Sequence, residues 1–307
     1  MQPSPIQEIQ SDLLQKKKVK LFLKRDDLIH PSVSGNKWRK LKYNLAAAKE
    51  LNQTTLLTFG GAFSNHIHAV AAAGKVFGFQ TIGVIRGDQM TPLNTTLQYA
   101  EDQGMQLHFV TRTAYRQKNT TAFQLALQEQ FGDFYSLPEG GTNTLALKGC
   151  AEIVTEIKEQ LGQIPNCIST CVGTGGTIAG ILQGSASAQQ IEILGISALK
   201  GNFLTEEIEK LLTAAKITVD NKWMISNDYN FGGYAKFKPA LIEFINDFKK
   251  TYQIALDPIY TGKHLYGIFD LIKKDYFKKD STIVAIHTGG LQGIEGFNQR
   301  YGGLILC

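Results

Sequence analysis

With 307 residues, 43% of them hydrophobic and 19% charged, the chain can bury the cores of two lobes and has the composition of an ordinary globular protein. A net charge of +5, with no stripe of interleaved basic and aromatic residues, argues against nucleic acid and suits small anionic partners. No apolar run is long enough to cross a bilayer, residues 1–11 hold no apolar signal region, and Cys150, Cys167, Cys171 and Cys307 form no disulfide framework, so a reducing cytoplasm is the expected setting.

In chain order, Val19–Lys24 reads as a strand, and Gly35–Glu50 as a helix whose apolar face is Leu41, Tyr43 and residues 45–48. Thr54–Phe59 is a strand, followed by the turn Gly60-Gly61 and a helix from Ser64 to Val76. A strand at Gln80–Ile85, a helix at Thr91–Gln103, a strand at Gln106–Val110 and a helix at Thr121–Phe131 come next. After the turn 138–141 the pattern gives a helix at Thr144–Leu161 and a strand at Cys167–Val172. A helix then starts at Thr177, and Ile191–Ser197 is a strand. Helices at Thr205–Ala215, Pro239–Lys250 and Lys263–Lys274 precede a last strand, Thr282–Ile286.

This alternation predicts an α/β fold of open, twisted, mostly parallel sheets covered by helices. With no repeat or Pro-rich linker to mark it, the lobe boundary is set by weak signals near Lys40 and Gly141, giving a large lobe, 1–40 plus 142–307, and a small lobe, 41–141. Glycine turns at 60, 173 and 289 each follow a strand. Ligands in such sheets sit beyond the carboxyl ends of strands, so the three turns can converge on one site.

Gly173-Thr174-Gly175-Gly176-Thr177 is suited to a phosphate: backbone N–H groups gather there and a helix start adds its positive end. It matches neither a dinucleotide fingerprint, because the sixth position is Ile178, nor a P-loop. Without a ligand it is a tight strand–helix turn. Lys37 follows the small, bent segment Ser34-Gly35-Asn36; among Arg39, Lys40 and Lys42 it is either a solvated charge or an amine whose pKa is lowered by burial and neighbouring cations. Lys40, about one turn on, can face the same way. Ser64 is a helix N-cap, and the N–H groups of Asn65 and His66 beyond it could hold a carboxylate. His66 and His68 do not share a helix face, so no metal is expected. Cys167 and Cys171 read as core packing. Tyr234, Tyr260 and Thr288 lie in turns. An amine nucleophile beside a separate phosphate cradle is what a pyridoxal phosphate (PLP) enzyme requires.

Together these segments, from Leu21-Phe22-Leu23-Lys24-Arg25-Asp26-Asp27-Leu28 to His287-Thr288-Gly289-Gly290, resemble the fold-type-II PLP enzymes of the tryptophan synthase β-like fold. Within them the chain resembles the branch holding D-cysteine desulfhydrase and 1-aminocyclopropane-1-carboxylate deaminase. The resemblance implies that Lys37 is the Schiff-base lysine, that Lys40 and residues 173–177 hold the phosphate, and that Asn65 bonds the ring hydroxyl. It also implies that Ser64, Asn65 and His66 receive the substrate carboxylate, that Ser64 lies near the reacting carbon, that Tyr234 and Tyr260 are the active-site tyrosines, and that Thr288 faces the pyridine nitrogen. It implies a homodimer and a small amino-acid substrate.

The cyclopropane deaminases of this branch carry Glu after the second tyrosine and Leu before the final Gly-Gly; here those positions are Thr261 and Thr288. A neutral hydroxyl at the ring nitrogen suits β-elimination, in which a good leaving group departs, better than opening of a strained ring. The expectation is therefore a lyase of the D-cysteine desulfhydrase type, releasing pyruvate, ammonia and sulfide. Cyclopropane deamination to 2-oxobutanoate is the alternative, and a PLP-carrying binding protein without turnover is a reading of another class.

Overall fold

The computed structural model describes residues 2–306 apart from Met90, Ser187, Gln189 and Gln190, so Cys307 lies outside the described residues. Its strands are β1 Ile6–Ile9, β2 Lys20–Lys24, β3 Thr55–Gly61, β4 Gln80–Arg86, β5 Met105–Val110, β6 Tyr135–Leu137, β7 Cys167–Val172, β8 Glu192–Ser197, β9 Trp223–Ser226 and β10 Thr282–Ile286. They form a six-stranded sheet in the order β1-β2-β10-β7-β8-β9 and a four-stranded sheet in the order β5-β4-β3-β6. Only β1, against β2, runs antiparallel. Sheets covered on both faces need strands that are apolar throughout. The fully buried β10 comes closest, while the equally buried β7 also carries Ser169 and Thr170 and the nearly fully buried β3 carries Thr55 and Thr58.

The first and last predicted strands are neighbours. β2 pairs with β10 from Lys20↔Thr282 to Lys24↔Ile286, which carries the chain leaving β2 to the same edge as the chain leaving β10. The helix Asn36–Glu50 starts there, packs against the helix Thr144–Leu161, and runs through residue 40, where the lobe boundary was expected. The helix predicted from Thr91 begins at Thr95 instead, because Asn94 caps it: the Asn94 side chain accepts from the Leu97 N–H at 3.0 Å. No helix of the described residues is long and apolar enough to cross a membrane.

Candidate active site

A cavity of about 450 Å³ lies at the carboxyl ends of strands from both sheets. Gly61 and Arg86 reach it from β3 and β4, Cys171 and Val172 from β7, and Thr288 and Gly289 from the turn after β10. Lys37, Lys40, Ser64, Asn65, His66, Gly173, Thr174, Gly175, Gly176, Thr177, Tyr234, Tyr260 and Thr288 all line it. The nucleophile and the phosphate cradle read from the sequence therefore face one space.

The turn that delivers Lys37 is locked from below. Gly35 has φ +69°, and a Cβ there would stand 2.0 Å from the Thr288 carbonyl oxygen, so no other residue fits without moving that backbone. The Asn36 N–H donates to the same carbonyl at 3.2 Å. Rotation of the helix is fixed by Arg39, 1% exposed, whose guanidinium bonds Asp26 on one side and Glu156 on the other, each through two hydrogen bonds. Lys37 and Lys40, on either side of Arg39 in sequence, consequently face the cavity. The Lys37 Nζ donates to Asn36 Oδ1 at 2.9 Å, and burial lowers its pKa.

Lys40 is 2% exposed, and its Nζ donates to Gly140 O, Thr142 Oγ1 and Thr174 Oγ1 at 3.0–3.3 Å. Burial and then the Lys37 charge bring it down to about 7. An ammonium with only neutral partners, beside a second one, suits an anion. The helix Gly176–Ser185 starts beside it with no side-chain cap, and a Cβ on Gly176 would come within 3.0 Å of the Lys40 Nζ and 2.6 Å of Thr142 Oγ1. The absent Cβ and the uncapped N–H groups leave a concavity of the size and polarity a phosphate needs, and the residues present fit PLP.

The opposite wall comes from the helix Asn65–Phe77. Ser64 Oγ accepts from the N–H groups of His66 and Ile67 at 3.2 and 3.3 Å, so the His66 N–H, expected to be free for a carboxylate, is already engaged. Asn65 Oδ1 accepts a hydrogen bond from Gln292 Nε2, which directs its Nδ2 toward Gly290. Thr58 Oγ1 donates to Leu137 O, so His66 Nε2 donates to Thr58 Oγ1 at 2.8 Å and Nδ1 carries the lone pair. Burial, then Lys37 and Lys40, push His66 well below its usual value and hold it neutral. His68 points elsewhere and stacks on Tyr99, with ring centroids 3.8 Å apart.

Tyr260 precedes the helix Thr261–Lys273, and Tyr234 faces it edge-on, with ring centroids 6.2 Å apart. Burial and the neighbouring Tyr234 raise the Tyr260 phenol well above its ordinary value, so it stays protonated. Thr261 is fully buried and does not line the cavity; its hydroxyl donates to Asp257 Oδ1 at 2.7 Å. Cys171, read from sequence as core packing, is buried yet forms cavity wall, with Sγ 3.1 Å from Thr288 Oγ1. Placement at the end of β7 puts it there, and burial pushes its thiol up to about 12. The sequence reading also passed over Arg86, Glu139, Thr142 and Gln292. Arg86 had a usable signal, since it ends a parallel strand.

A family model described as pyridoxal-phosphate dependent enzyme matches residues 2–289. A putative 1-aminocyclopropane-1-carboxylate deaminase of Pyrococcus abyssi is 30% identical over 299 residues, covering 92% of this chain and 88% of that protein. A bifunctional D-cysteine desulfhydrase/1-aminocyclopropane-1-carboxylate deaminase of Arabidopsis thaliana, named as mitochondrial, is also 30% identical, over 292 residues, covering 89% and 73%. The crystal structure of a protein described as an ACC deaminase homologue superposes with a TM-score of 0.86 at 27% identity, covering 99% of this chain and 94% of that one. The fold expected from the sequence, two-lobed and tryptophan synthase β-like, is thus the fold of the protein's structural relatives. The chain belongs to the pyridoxal-phosphate dependent enzymes, in the lyase group of 1-aminocyclopropane-1-carboxylate deaminase and D-cysteine desulfhydrase.

Proposed function

We propose that this PLP-dependent lyase carries out α,β-elimination on a small amino acid, with D-cysteine as substrate and pyruvate, ammonia and sulfide as products. The observation that carries the reading is the neutral wall formed by Thr288 and Cys171. Among the described residues lining the cavity Glu139 is the one carboxylate, and Lys118 engages it at 3.4 Å. When bound, PLP supplies an aldehyde that condenses with amines and a ring that accepts the electron pair left at Cα. Lys40 and the 173–177 turn would hold its phosphate, Asn65 its ring hydroxyl, and Thr288 its ring nitrogen.

Burial favours the free amine of Lys37, so Nζ can take the Cα proton. The Cβ–S bond then breaks and sulfur leaves as hydrosulfide, accepting a hydrogen bond from the Tyr260 phenol, which keeps its proton. Freed 2-aminoacrylate reacts with water to give pyruvate and ammonia. Ser64 Oγ, which accepts from two helix N–H groups, keeps its own proton to donate to the substrate carboxylate with the Asn65 N–H. Tyr234 closes the mouth above them.

Ring opening of 1-aminocyclopropane-1-carboxylate to 2-oxobutanoate is the second reading, and the relatives' names back it more strongly: the Pyrococcus protein is named a putative deaminase of that substrate alone and the Arabidopsis protein is named for both activities. Holoenzyme assayed with D-cysteine, L-cysteine and the cyclopropane substrate side by side decides between them. Sulfide and pyruvate from D-cysteine are expected; 2-oxobutanoate as the dominant product would overturn the elimination. Cys150, Cys167 and Cys171 are free and buried, which supports a reducing cytoplasm, and we carry the homodimer forward from the family resemblance.

A further inference from the structure

Besides the lysine pair, Lys24, Arg39 and Lys263 are buried cations. Lys263, in the first turn of the helix that follows Tyr260, is 1% exposed. Its Nζ donates to the main-chain carbonyls of Gly233 at 2.7 Å, Asn230 at 2.8 Å and Ala198 at 3.4 Å. Two of these carbonyls belong to the turn that carries Tyr234. That turn has an unfavourable backbone: Phe231, Gly232, Gly233 and Ala235 have φ of 53°, 98°, 114° and 54°. Two of the four are not glycine, and a side chain in that region raises the energy of the conformation. The main-chain N–H groups of the turn bond within it, from Gly232 N to Asn230 Oδ1, Gly233 N to Asn230 O and Lys236 N to Gly233 O, while the Asn230 side chain donates to Asn227 O and the Tyr234 side chain bonds that of Tyr260. The ammonium therefore fastens the main chain of this turn to the helix that follows Tyr260, against which Phe231 also packs through Tyr266, with ring centroids 5.0 Å apart. Tyr234 itself is 45% exposed, and its contact is with Tyr260, edge-on and through a side-chain hydrogen bond.

We propose that Lys263 is a positioning residue, whose charge on the carbonyls of Asn230 and Gly233 sets Tyr234 opposite Tyr260 at the cavity mouth. One helix turn thus supplies Tyr260 directly and Tyr234 through Lys263. A hydrogen bond from a charged donor is strong enough to outweigh the preference of two left-handed residues for other conformations. Burial lowers Lys263 to about 8, with Asp257 opposing, so the proton is present at neutral pH. The inference rests on the reading above that Tyr234 serves the substrate.

The test compares holoenzyme of wild type, Lys263→Met, Gly233→Ala and Tyr234→Phe by amide hydrogen exchange and by steady-state kinetics. Gly233→Ala disturbs the same turn from its other side, where φ is +114° and a Cβ would stand 3.2 Å from Lys200 Cβ, and it leaves the core untouched should Lys263→Met fail to fold. In both turn variants the amides of 232–236 are expected to exchange about ten- to a hundred-fold faster, with protection elsewhere unchanged. KM should rise by a similar factor, as in Tyr234→Phe, with PLP absorbance intact. Unchanged exchange at 232–236 in both turn variants overturns the proposal. So does fast exchange with unchanged KM when Tyr234→Phe is impaired, and that failure lies with Lys263. An unimpaired Tyr234→Phe also overturns it, through the reading of Tyr234.

Discussion

Arg39 and Asp26 meet in a two-pronged ion pair, Nε to Oδ2 at 2.6 Å and Nη2 to Oδ1 at 2.7 Å, with both side chains sealed from solvent. Asp26 also accepts from Ser4 Oγ at 2.6 Å, and its carbonyl accepts from the Gly35 N–H at 3.0 Å. One residue after β2 thereby holds both the turn before Lys37 and the helix after it. Arg39→Met leaves a buried carboxylate without its counter-charge and is expected to lose about 3–5 kcal/mol of stability. Urea unfolding of the apoprotein measures this, and a loss within about 0.5 kcal/mol, as at ordinary surface positions, would show that the pair does not fix the helix.

Lys37 is the residue expected to carry the cofactor. Borohydride reduction of the holoenzyme followed by peptide mapping should find the pyridoxyl group on Lys37, and Lys37→Ala should take no label. Turnover of Lys37→Ala should fall by about a thousand-fold or more, the scale of a lost general base. Label on Lys40 or Lys263 instead would refute the assignment.

Lys40→Met is expected to weaken PLP binding by about ten- to a hundred-fold, the worth of a charged hydrogen bond, while the rate at saturating cofactor changes less. Titration of apoprotein followed by absorbance reads both quantities.

The same lysine sets a pH dependence of stability. In the folded protein Lys40 releases its proton near pH 7, whereas its ordinary value is 10.5. Between those values the unfolded chain holds a proton that the folded apoprotein lacks, so stability rises with pH across the window and is smallest below it. Urea midpoints of the apoprotein should climb from about pH 7 toward pH 10, and Lys40→Met should flatten that climb. A wild-type profile that falls over this range contradicts the lowered value.

Thr261→Glu is the substitution that would copy the cyclopropane deaminases. Its neighbour here is the buried Asp257, whose carboxylate takes the Thr261 hydroxyl and the N–H groups of 259, 260 and 261 at 2.7–2.9 Å. A second carboxylate at that place confronts the first in a dry interior and should cost several kcal/mol, with Tyr260 displaced. Loss of thermal stability together with loss of sulfide release is the expected outcome; a stable variant that opens the cyclopropane ring would contradict this account.

Most of the layout was readable because long parallel strands and amphipathic helices announce themselves in hydrophobic period. β6, β9 and the edge strand β1 did not, because three or four residues such as Tyr135–Leu137 become a strand only through their partner. The cavity residues were legible wherever a glycine turn marked a strand end. Cys171 and Gln292 were not: one is an apolar-looking strand residue whose place on the wall depends on how far β7 extends, and the other meets Asn65 across 227 positions of chain. Arg39 resembled a surface charge in sequence, and only its two carboxylate partners reveal it as the most bulky fully buried side chain.

The seating of Gly35 against the Thr288 carbonyl ties one of the earliest parts of the polypeptide to one of the last. During synthesis, position 37 leaves the ribosome roughly 10–50 s before position 288, at translation rates of about 5–20 residues per second. For that interval the Lys37 amine has no finished pocket around it, and β2 lacks its β10 neighbour. A nascent or prematurely terminated chain therefore lacks the seat that places the turn before Lys37, which arrives only with the residues after β10.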